Sequence, residues 1–240
     1  YVLSVKDPKR SLLNAAVRGT AAVLNAAARS ERVTRVIVTS SVAAVTDQPT
    51  DEVLTESDWN LKSSLTRNPY HYSKTCAERS AWAFMEEHQP HFKLVVINPF
   101  VVIGPALSSS VNTSNQILVD LTNGKVPVLM ALTWAFVDVR DVAQAHIAAM
   151  ATEATGRHLC VSECMPMDAM VTHLRELGYS HTRLPKLDLS GPMGTLLLRL
   201  ASYAQPAGLG TYLRTHLARQ HRFDNSKAIN ELGVTFRPAR

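Results

Sequence analysis

Tyr70 and Lys74 carry complementary chemistry and lie four residues apart in the chain. The segment 74–85 is rich in good helix formers and lacks proline and glycine, which predicts a helix. Because positions i and i+4 share one helix face, the phenol and the ammonium point into the same space. A neighbouring cation favours the phenolate and lowers the phenol's pKa from its usual value of about 10. The pair therefore predicts a tyrosine that exchanges a proton near neutral pH, although the same spacing also arises by chance on ordinary helices.

Ser41 offers a second polar group for the same chemistry. The apolar run Val36-Ile37-Val38 before it is typical of a buried strand. Open α/β sheets bind their ligands beyond the carboxyl ends of the strands. We therefore expect Ser41 to lie where a ligand binds, with Ser40 as the less favoured candidate for the same role.

Five motifs follow one another along the chain: Thr39-Ser40-Ser41, Tyr70-x-x-x-Lys74, Asn98–Pro105, Phe136–Ala143 and Asp224–Gly233. In this order they resemble the extended short-chain dehydrogenase/reductase family, part of the NAD-dependent epimerase/dehydratase superfamily. The branch they resemble contains dihydroflavonol reductases, cinnamoyl-CoA reductases and 3β-hydroxysteroid dehydrogenase-like proteins. The resemblance runs along essentially the whole chain and is much more specific for the family than for the substrate.

The resemblance implies a catalytic set of Ser41, Tyr70 and Lys74. By this likeness Tyr70 protonates the forming alkoxide, Ser41 hydrogen-bonds the same oxygen, and Lys74 lowers the pKa of Tyr70 and holds the nicotinamide ribose. The residues expected to contact the cofactor are Thr39, Ser40, Tyr70, Lys74, Pro99, Phe100 and Val102. NADP is the cofactor expected from the branch, with NAD as the alternative.

The fold class expected from the resemblance is α/β. We predict a Rossmann-like, doubly wound parallel sheet that lacks its N-terminal βαβ units, together with a smaller, mainly helical substrate-binding lobe. The expected divisions are 1–105 and 134–162 for the nucleotide-binding domain, 106–133 for an insertion on the substrate side, and 163–240 for the lobe and closing helix.

Apolar periodicity and glycine or proline punctuation predict the individual elements. We expect a helix over 7–29 in which Gly19 packs closely against the sheet, and a strand over 32–40 that is buried on both faces. Further predictions are a strand over 92–98 that Pro99 ends, a last strand over 157–162, a helix over 167–177 and a helical lobe over 191–217. The polar loop 46–68 is expected to border the substrate site.

The glycine-rich phosphate loop of the family, Gly-x-x-Gly-x-x-Gly, does not occur among the ten glycines of this sequence. Without that loop, most cofactor affinity should vanish, because its backbone lets a helix N-terminus approach the pyrophosphate. The expectation is a fragment or truncated isoform of a longer enzyme with an open sheet edge. Ala16 stands where many extended members carry an active-site Asn, a departure that the dihydroflavonol reductase-like branch shares.

Composition excludes several other functions. The net charge is +5, but the lysines and arginines are scattered along the sequence, which argues against nucleic-acid binding. No uncharged apolar stretch of about 18 residues predicts a membrane span, and the N-terminus lacks a signal-peptide pattern. Three cysteines are too few for a disulfide framework, and Cys160-x-x-x-Cys164 has no second ligand pair, so no metal site is predicted. A reducing, cytoplasmic compartment is expected.

The leading hypothesis is an NAD(P)H-dependent oxidoreductase that interconverts a carbonyl and an alcohol on a hydrophobic or aromatic small molecule. Two alternatives stay open: a catalytically silent binding or regulatory module, and a sugar-nucleotide epimerase or dehydratase. A homodimer built on the Tyr70 helix and its neighbour is expected only by analogy with the family.

Overall fold

The computed structural model describes residues 7–107, 109–179 and 182–239. Its strands are, in chain order, β1 (Arg35–Thr39), β2 (Lys93–Pro99), β3 (Val101–Ile103), β4 (Val128–Met130), β5 (Thr133–Asp138), β6 (Gly156–Cys160), β7 (Glu163–Pro166) and β8 (Leu187–Leu189). Its α-helices are α1 (Ala15–Ala28), α2 (Pro69–His88), α3 (Asn115–Thr122), α4 (Val139–Ala151), α5 (Met167–Glu176), α6 (Pro192–Ala201), α7 (Ala207–His216) and α8 (Ser226–Leu232). A π-helical segment, Lys9–Asn14, leads into α1, and 3₁₀ turns occupy Val42–Ala44 and Ser202–Ala204.

Strands β1, β2 and β6 form a parallel sheet in the order β1-β2-β6. In β2 every residue from Leu94 to Pro99 is buried, as expected for a central parallel strand. In the described part of the chain β1 pairs only with β2, and its residues are half-buried or exposed. The predicted α/β class with a parallel sheet is confirmed. The prediction that this first strand is buried on both faces is wrong, because β1 lies at a sheet edge.

Helices cover both faces of this sheet, and the two-residue period of β2 divides its side chains between them. One face buries Leu24 and Ala27 of α1 and Ala81 and Phe84 of α2 against Leu94 and Val96. The other face buries Ala145 and Ala149 of α4 and Leu232 of α8 against Val95 and Ile97. The sheet is therefore wound on both sides, as predicted.

Two smaller sheets extend the molecule toward the lobe. The first has the order β3-β5-β7, in which β3 and β5 are parallel and β5 and β7 are antiparallel. The second consists of the parallel strands β4 and β8. The prediction that 157–162 forms the last strand is wrong, because β7 and β8 follow β6. Both are only three or four residues long, too short for a clear apolar alternation, so their pairing depends on distant partners.

The predicted helical segment 191–217 is confirmed, since it contains α6 and α7. Leu213 and Leu217 pack against Leu132, which follows β4, and so attach the segment to the insertion between β3 and β5. The proposed domain divisions stay a prediction.

None of the helices within the described ranges is long and apolar enough to cross a bilayer. Over the same ranges, no group of three or more His, Cys, Asp or Glu side chains is placed to hold a metal ion.

Gly19 does not have the packing role expected of it. It is exposed on α1, and a Cβ added there would meet no atom within 4 Å. Gly194 on α6 is the opposite case, because a Cβ there would lie 2.5 Å from the backbone oxygen of Leu189. Substitutions at Gly19 and Gly194 therefore test the effects of helix propensity and of close packing separately.

We expect Gly19→Ala to raise the free energy of unfolding by about 0.5–1 kcal/mol, since alanine restricts the unfolded chain and suits a helix. Gly194→Ala should lower it by about 1–3 kcal/mol through overpacking. Urea unfolding followed by circular dichroism measures both variants. Equal effects of the two substitutions would contradict the packing difference.

Candidate active site

Ser41 and Tyr70 meet at the wall of one cavity. Ser41 follows β1 and caps the turn Val42–Ala44, where its Oγ accepts a hydrogen bond from Ala43 N at 3.1 Å. The same Oγ donates to the carbonyl of Pro99, the last residue of β2, at 3.4 Å. The side chains of Ser41 and Tyr70 share a hydrogen bond. The structure therefore brings these two predicted catalytic residues together.

The position of Tyr70 is determined by the residues that start α2. Asn68 has a left-handed backbone, with φ 51°, which asparagine tolerates better than most residues. Pro69 takes the first helical position, where a missing N–H is harmless. The buried Asp47 carboxylate accepts from Asn68 Nδ2 at 3.2 Å and from Arg67 Nε at 2.8 Å. Asp47 thereby fixes where the helix begins and which way Tyr70 points.

The pKa shifts of Tyr70 and Lys74 share one cause, which is burial. Desolvation raises the pKa of the Tyr70 phenol above its ordinary value, and the hydrogen bond with Ser41 opposes this rise. Desolvation lowers the pKa of the Lys74 ammonium, opposed by the negative charge of Glu78. The expectation that Lys74 lowers the pKa of Tyr70 is wrong for this structure, because burial raises that pKa and the opposing effect comes from the hydrogen bond with Ser41. Tyr70 is consequently a neutral phenol, a proton donor.

The other residues predicted to contact a cofactor have varied surroundings. Thr39 is exposed, and its Oγ1 shares a hydrogen bond with His146 Nε2 at 2.7 Å. Ser40 is buried and donates to the Glu78 carboxylate. Phe100 lines the cavity, whereas Val102 packs against the core formed by β2, β5 and α4. The side chains of Ser40 and Val102 thus point away from the cavity, and the cofactor contacts stay predictions.

The cavity has a volume of about 470 Å³ and is mainly apolar. Its polar end holds Ser41, Tyr70 and His71, and a second polar edge comes from Gln116 and Asp120 on α3. Its apolar wall includes Phe100, Leu121, Met130, Trp134, Leu209 and Leu213. The predicted substrate-side insertion, 106–133, and the predicted helical lobe, 191–217, both contribute described residues to this wall. Such a cavity suits a small apolar or aromatic ligand with one polar group.

Sequence reasoning missed Glu78, which the structure places at the centre of a buried polar cluster. Its carboxylate is fully buried and accepts hydrogen bonds from Ser40 Oγ, Asn98 Nδ2 at 2.7 Å and Arg157 Nε at 2.5 Å. Asn98 Nδ2 also donates to the carbonyl of Ser41 at 3.2 Å. Glu78 lies four residues after Lys74 and eight after Tyr70, a spacing on one helix face that could have identified it.

Arg157 connects this cluster to the loop 46–68. Its Nη1 donates to the carbonyls of Glu56 at 2.7 Å and Asp58 at 2.5 Å. Its guanidinium carbon lies 3.9 Å from the ring centroid of Trp59. The expectation that this loop borders the substrate site is not met in the cavity described above, whose lining contains no residue of 46–68. The loop packs on Arg157 instead.

Three buried histidines were also missed: His71, which lines the cavity, and His216 and His221. Burial lowers the pKa of His71 to about 3, of His216 to about 4 and of His221 to about 3, and repulsion by His216 adds to the shifts of the other two. His216 and His221 have ring centroids 5.7 Å apart, and the His71 ring lies edge-on to Tyr70 at 5.9 Å. Their separation in the sequence gave no signal for this cluster.

The sequence pattern of the NAD dependent epimerase/dehydratase family matches residues 3–161. Cinnamoyl-CoA reductase CAD2 of Medicago truncatula is 40% identical over 192 residues, which cover 76% of this chain and 57% of that protein. Ketoreductase azaE of Aspergillus niger is 33% identical over 259 residues, covering 99% of this chain and 68% of that protein. The chain spans about half the length of several curated relatives that it matches, between 47% and 57% for three of them.

Solved structures agree with these similarities. Gre2 from Candida albicans is 27% identical with a TM-score of 0.77, and covers 100% of this chain and 71% of its own. The yeast methylglyoxal/isovaleraldehyde reductase Gre2, solved in complex with NADPH, is 26% identical with a TM-score of 0.78, over 100% of this chain and 70% of its own.

Glu78→Gln is expected to destabilise the protein by about 3 kcal/mol, because the buried guanidinium of Arg157 loses its counter-ion. Urea unfolding at neutral pH measures the loss. The control Glu153→Gln removes an ion pair with Lys93 that lies at the surface, and should leave stability nearly unchanged. A small effect at Glu78, similar to that at Glu153, would argue against the central role of this carboxylate.

Stability should fall as the pH drops from about 6.5 toward 4. An unfolded histidine binds a proton near pH 6.5, whereas His71, His216 and His221 stay neutral in the folded protein down to their pKa values of about 3 to 4. The unfolded chain therefore binds more protons over this window, at a cost of about 2 kcal/mol per histidine at pH 5. Urea unfolding at pH 7 and pH 5 measures the difference.

His221→Phe tests the origin of this pH dependence. Both ring nitrogens of His221 lack a hydrogen-bond partner in the described part of the chain, and its ring stacks on Phe223 at 5.4 Å. Phenylalanine should therefore fit and reduce the loss of stability between pH 7 and pH 5 by about 2 kcal/mol, the contribution of one such histidine. An unchanged loss would exclude His221 as a contributor.

Proposed function

The chain belongs to the NAD dependent epimerase/dehydratase family, as the motif resemblance predicted, and from this premise we propose that it serves as an NADPH-dependent carbonyl reductase. The reaction interconverts a ketone or aldehyde and its alcohol on a hydrophobic or aromatic small molecule. The observation that carries the proposal is the hydrogen-bonded pair of Ser41 and Tyr70 at the polar end of an apolar cavity. Relatives described as cinnamoyl-CoA reductase and NADPH-dependent methylglyoxal reductase support the reaction type and the choice of NADP over NAD.

The residues present fit the nicotinamide end of such a cofactor. Ser41, just after β1, contacts both Tyr70 and the carbonyl of Pro99 at the end of β2, where α/β sheets hold ligands. Lys74 would hold the ribose hydroxyls, with Thr39, Ser40 and Val102 as further predicted contacts. The phosphate-binding glycine loop is not among the glycines of this sequence.

A reduced nicotinamide, when bound, supplies a hydride to the carbonyl carbon. The work of this chain's own residues is to bind the substrate and to supply the proton. Ser41 donates a hydrogen bond to the carbonyl oxygen and orients it, and Tyr70, kept neutral by burial, gives its proton to that oxygen as negative charge develops. The apolar wall around Trp134 and Leu213 excludes water from the reacting atoms.

The second candidate is a silent binding module that uses the same cavity without catalysis. A sugar-nucleotide epimerase is disfavoured by the apolar wall. A cytoplasmic location and a homodimer built on α2 and α1 complete the proposal by analogy with the family.

Tyr70→Phe should lower kcat/KM for reduction of aromatic aldehydes by about 10²–10⁴-fold, because general acid catalysis is lost while the cavity keeps its shape. NADPH consumption measures activity, and calorimetry measures NADPH binding separately. Tyr72→Phe is the matched control, since Tyr72 lies on the same helix outside the cavity lining and should keep full activity.

An unchanged rate in Tyr70→Phe would refute the assigned role. Binding of an aromatic carbonyl compound without any NADPH binding or turnover would favour the silent module.

A further inference from the structure

Helix α6 presents its large apolar side chains to solvent and its small residues to the protein. Gly194 and Thr195 on α6 are buried, and so is Ser202, just after the helix. The outward residues are between 53% and 75% exposed: Met193, Leu196, Leu197, Leu200 and Tyr203. A surface helix ordinarily turns its apolar stripe inward, and a contiguous exposed apolar surface marks an interaction site.

Buried contacts fix this orientation. The backbone at Gly194 lies against Leu189, where a Cβ would come within 2.5 Å of the carbonyl oxygen. Ser202 Oγ donates to the carbonyl of Arg199 at 2.6 Å, and Arg214 Nη1 donates to the carbonyl of Ser202 at 3.1 Å. Rotating the helix to bury its leucines would break these contacts and push larger side chains into the space of a glycine. The apolar face therefore stays outward.

Two arginines, Arg199 and Arg214, lie at this face. From Leu189 to Phe223 the sequence contains four arginines and no aspartate or glutamate. Arg199 lies on α6 itself and is exposed. The guanidinium of Arg214 stacks on the outward Tyr203 ring at 4.6 Å. A partner that binds this surface must therefore combine apolar groups with negative charge.

We propose that the α6 face, defined as Met193, Leu196, Leu197, Leu200 and Tyr203 with the adjoining arginines, docks on an anionic phospholipid surface. Apolar side chains of an interfacial helix insert at the boundary of the headgroups, and arginines pair with anionic lipids. A second copy of the chain fits less well, because a symmetric contact would bring the arginines of both copies together. Docking is peripheral and independent of the proposed reductase activity.

Docking would also place the cavity near the bilayer. Helix α7 contributes Leu209 and Leu213 to the cavity wall, and it follows α6 with only the turn Ser202–Ala204 and two further residues between them. Apolar small molecules concentrate in bilayers, so a lobe that rests on the membrane would face their source.

Vesicle co-sedimentation tests the proposal on the full chain. The probes are vesicles of equal parts phosphatidylcholine and phosphatidylglycerol, and vesicles of phosphatidylcholine alone. We expect binding to the anionic vesicles to be at least about tenfold tighter, and to weaken at about 1 M salt, where the Debye length falls to about 3 Å.

Leu196→Glu combined with Leu200→Glu should reduce binding to anionic vesicles about tenfold or more. The matched control is Ile147→Glu combined with Met150→Glu on α4, which adds the same charge at side chains that are 67% and 66% exposed, compared with 53% and 61% for the two leucines. The control should change binding by no more than about threefold. Circular dichroism and thermal unfolding confirm that both variants fold.

Three results would overturn the proposal. The first is absence of binding to anionic vesicles at low salt, and the second is an equal loss in the α4 control, which would reduce the effect to net charge. The third is that the unaltered chain is a dimer whereas the double leucine variant is a monomer, which would assign the face to a second copy.

Discussion

The buried carboxylate of Glu78 is the contact on which the site depends. A charge removed from water is stable only when hydrogen-bond donors and a counter-ion surround it. Here the donors come from the end of β1 through Ser40, from β2 through Asn98 and from β6 through Arg157. One side chain of α2 is thereby tied to all three strands of the parallel sheet. Ser41 is the neighbour of Ser40, and its carbonyl accepts from Asn98, so the place of the serine relative to the helix of Tyr70 follows from this one cluster.

Arg157 connects the Glu78 cluster to the loop 46–68 and to α8. Its stacking on Trp59 and its bonds to two loop carbonyls hold the loop 46–68, and its own carbonyl accepts from Lys227 Nζ of α8 at 3.0 Å. The long loop therefore has a structural role, since it covers the buried ion pair of Glu78 and Arg157. This explains why it does not line the cavity, although a loop of its length is usually functional.

Local patterns in the sequence were enough to predict some parts of the structure and not others. The serine–tyrosine pair, the end of β2 at Pro99 and the helices of the lobe follow from spacing, apolar runs and turn residues that lie close together. The helical spacing of Glu78 from Tyr70 and Lys74 is a local signal, but its partner Arg157 is 79 positions away. The three histidines come from two distant segments, so no local pattern predicts that Glu78 pairs with Arg157 or that the histidines cluster. The direction of the Tyr70 pKa shift was mistaken for the same reason. Spacing showed a nearby ammonium, whereas the extent of burial is decided by the whole fold.

Burial gives the site a single electrostatic character. It moves the pKa of Tyr70 up and those of Lys74 and His71 down, so each group shifts toward its neutral form. In such a poorly hydrated place, a hydrogen bond to a developing negative charge is worth more than in water. Burial thus keeps Tyr70 protonated before the reaction. In the proposed reaction, the same burial favours transfer of its proton to an oxygen on which negative charge develops. In the proposed reaction, the proton for an alkoxide formed in the cavity comes from the Tyr70 hydroxyl, which shares a hydrogen bond with Ser41.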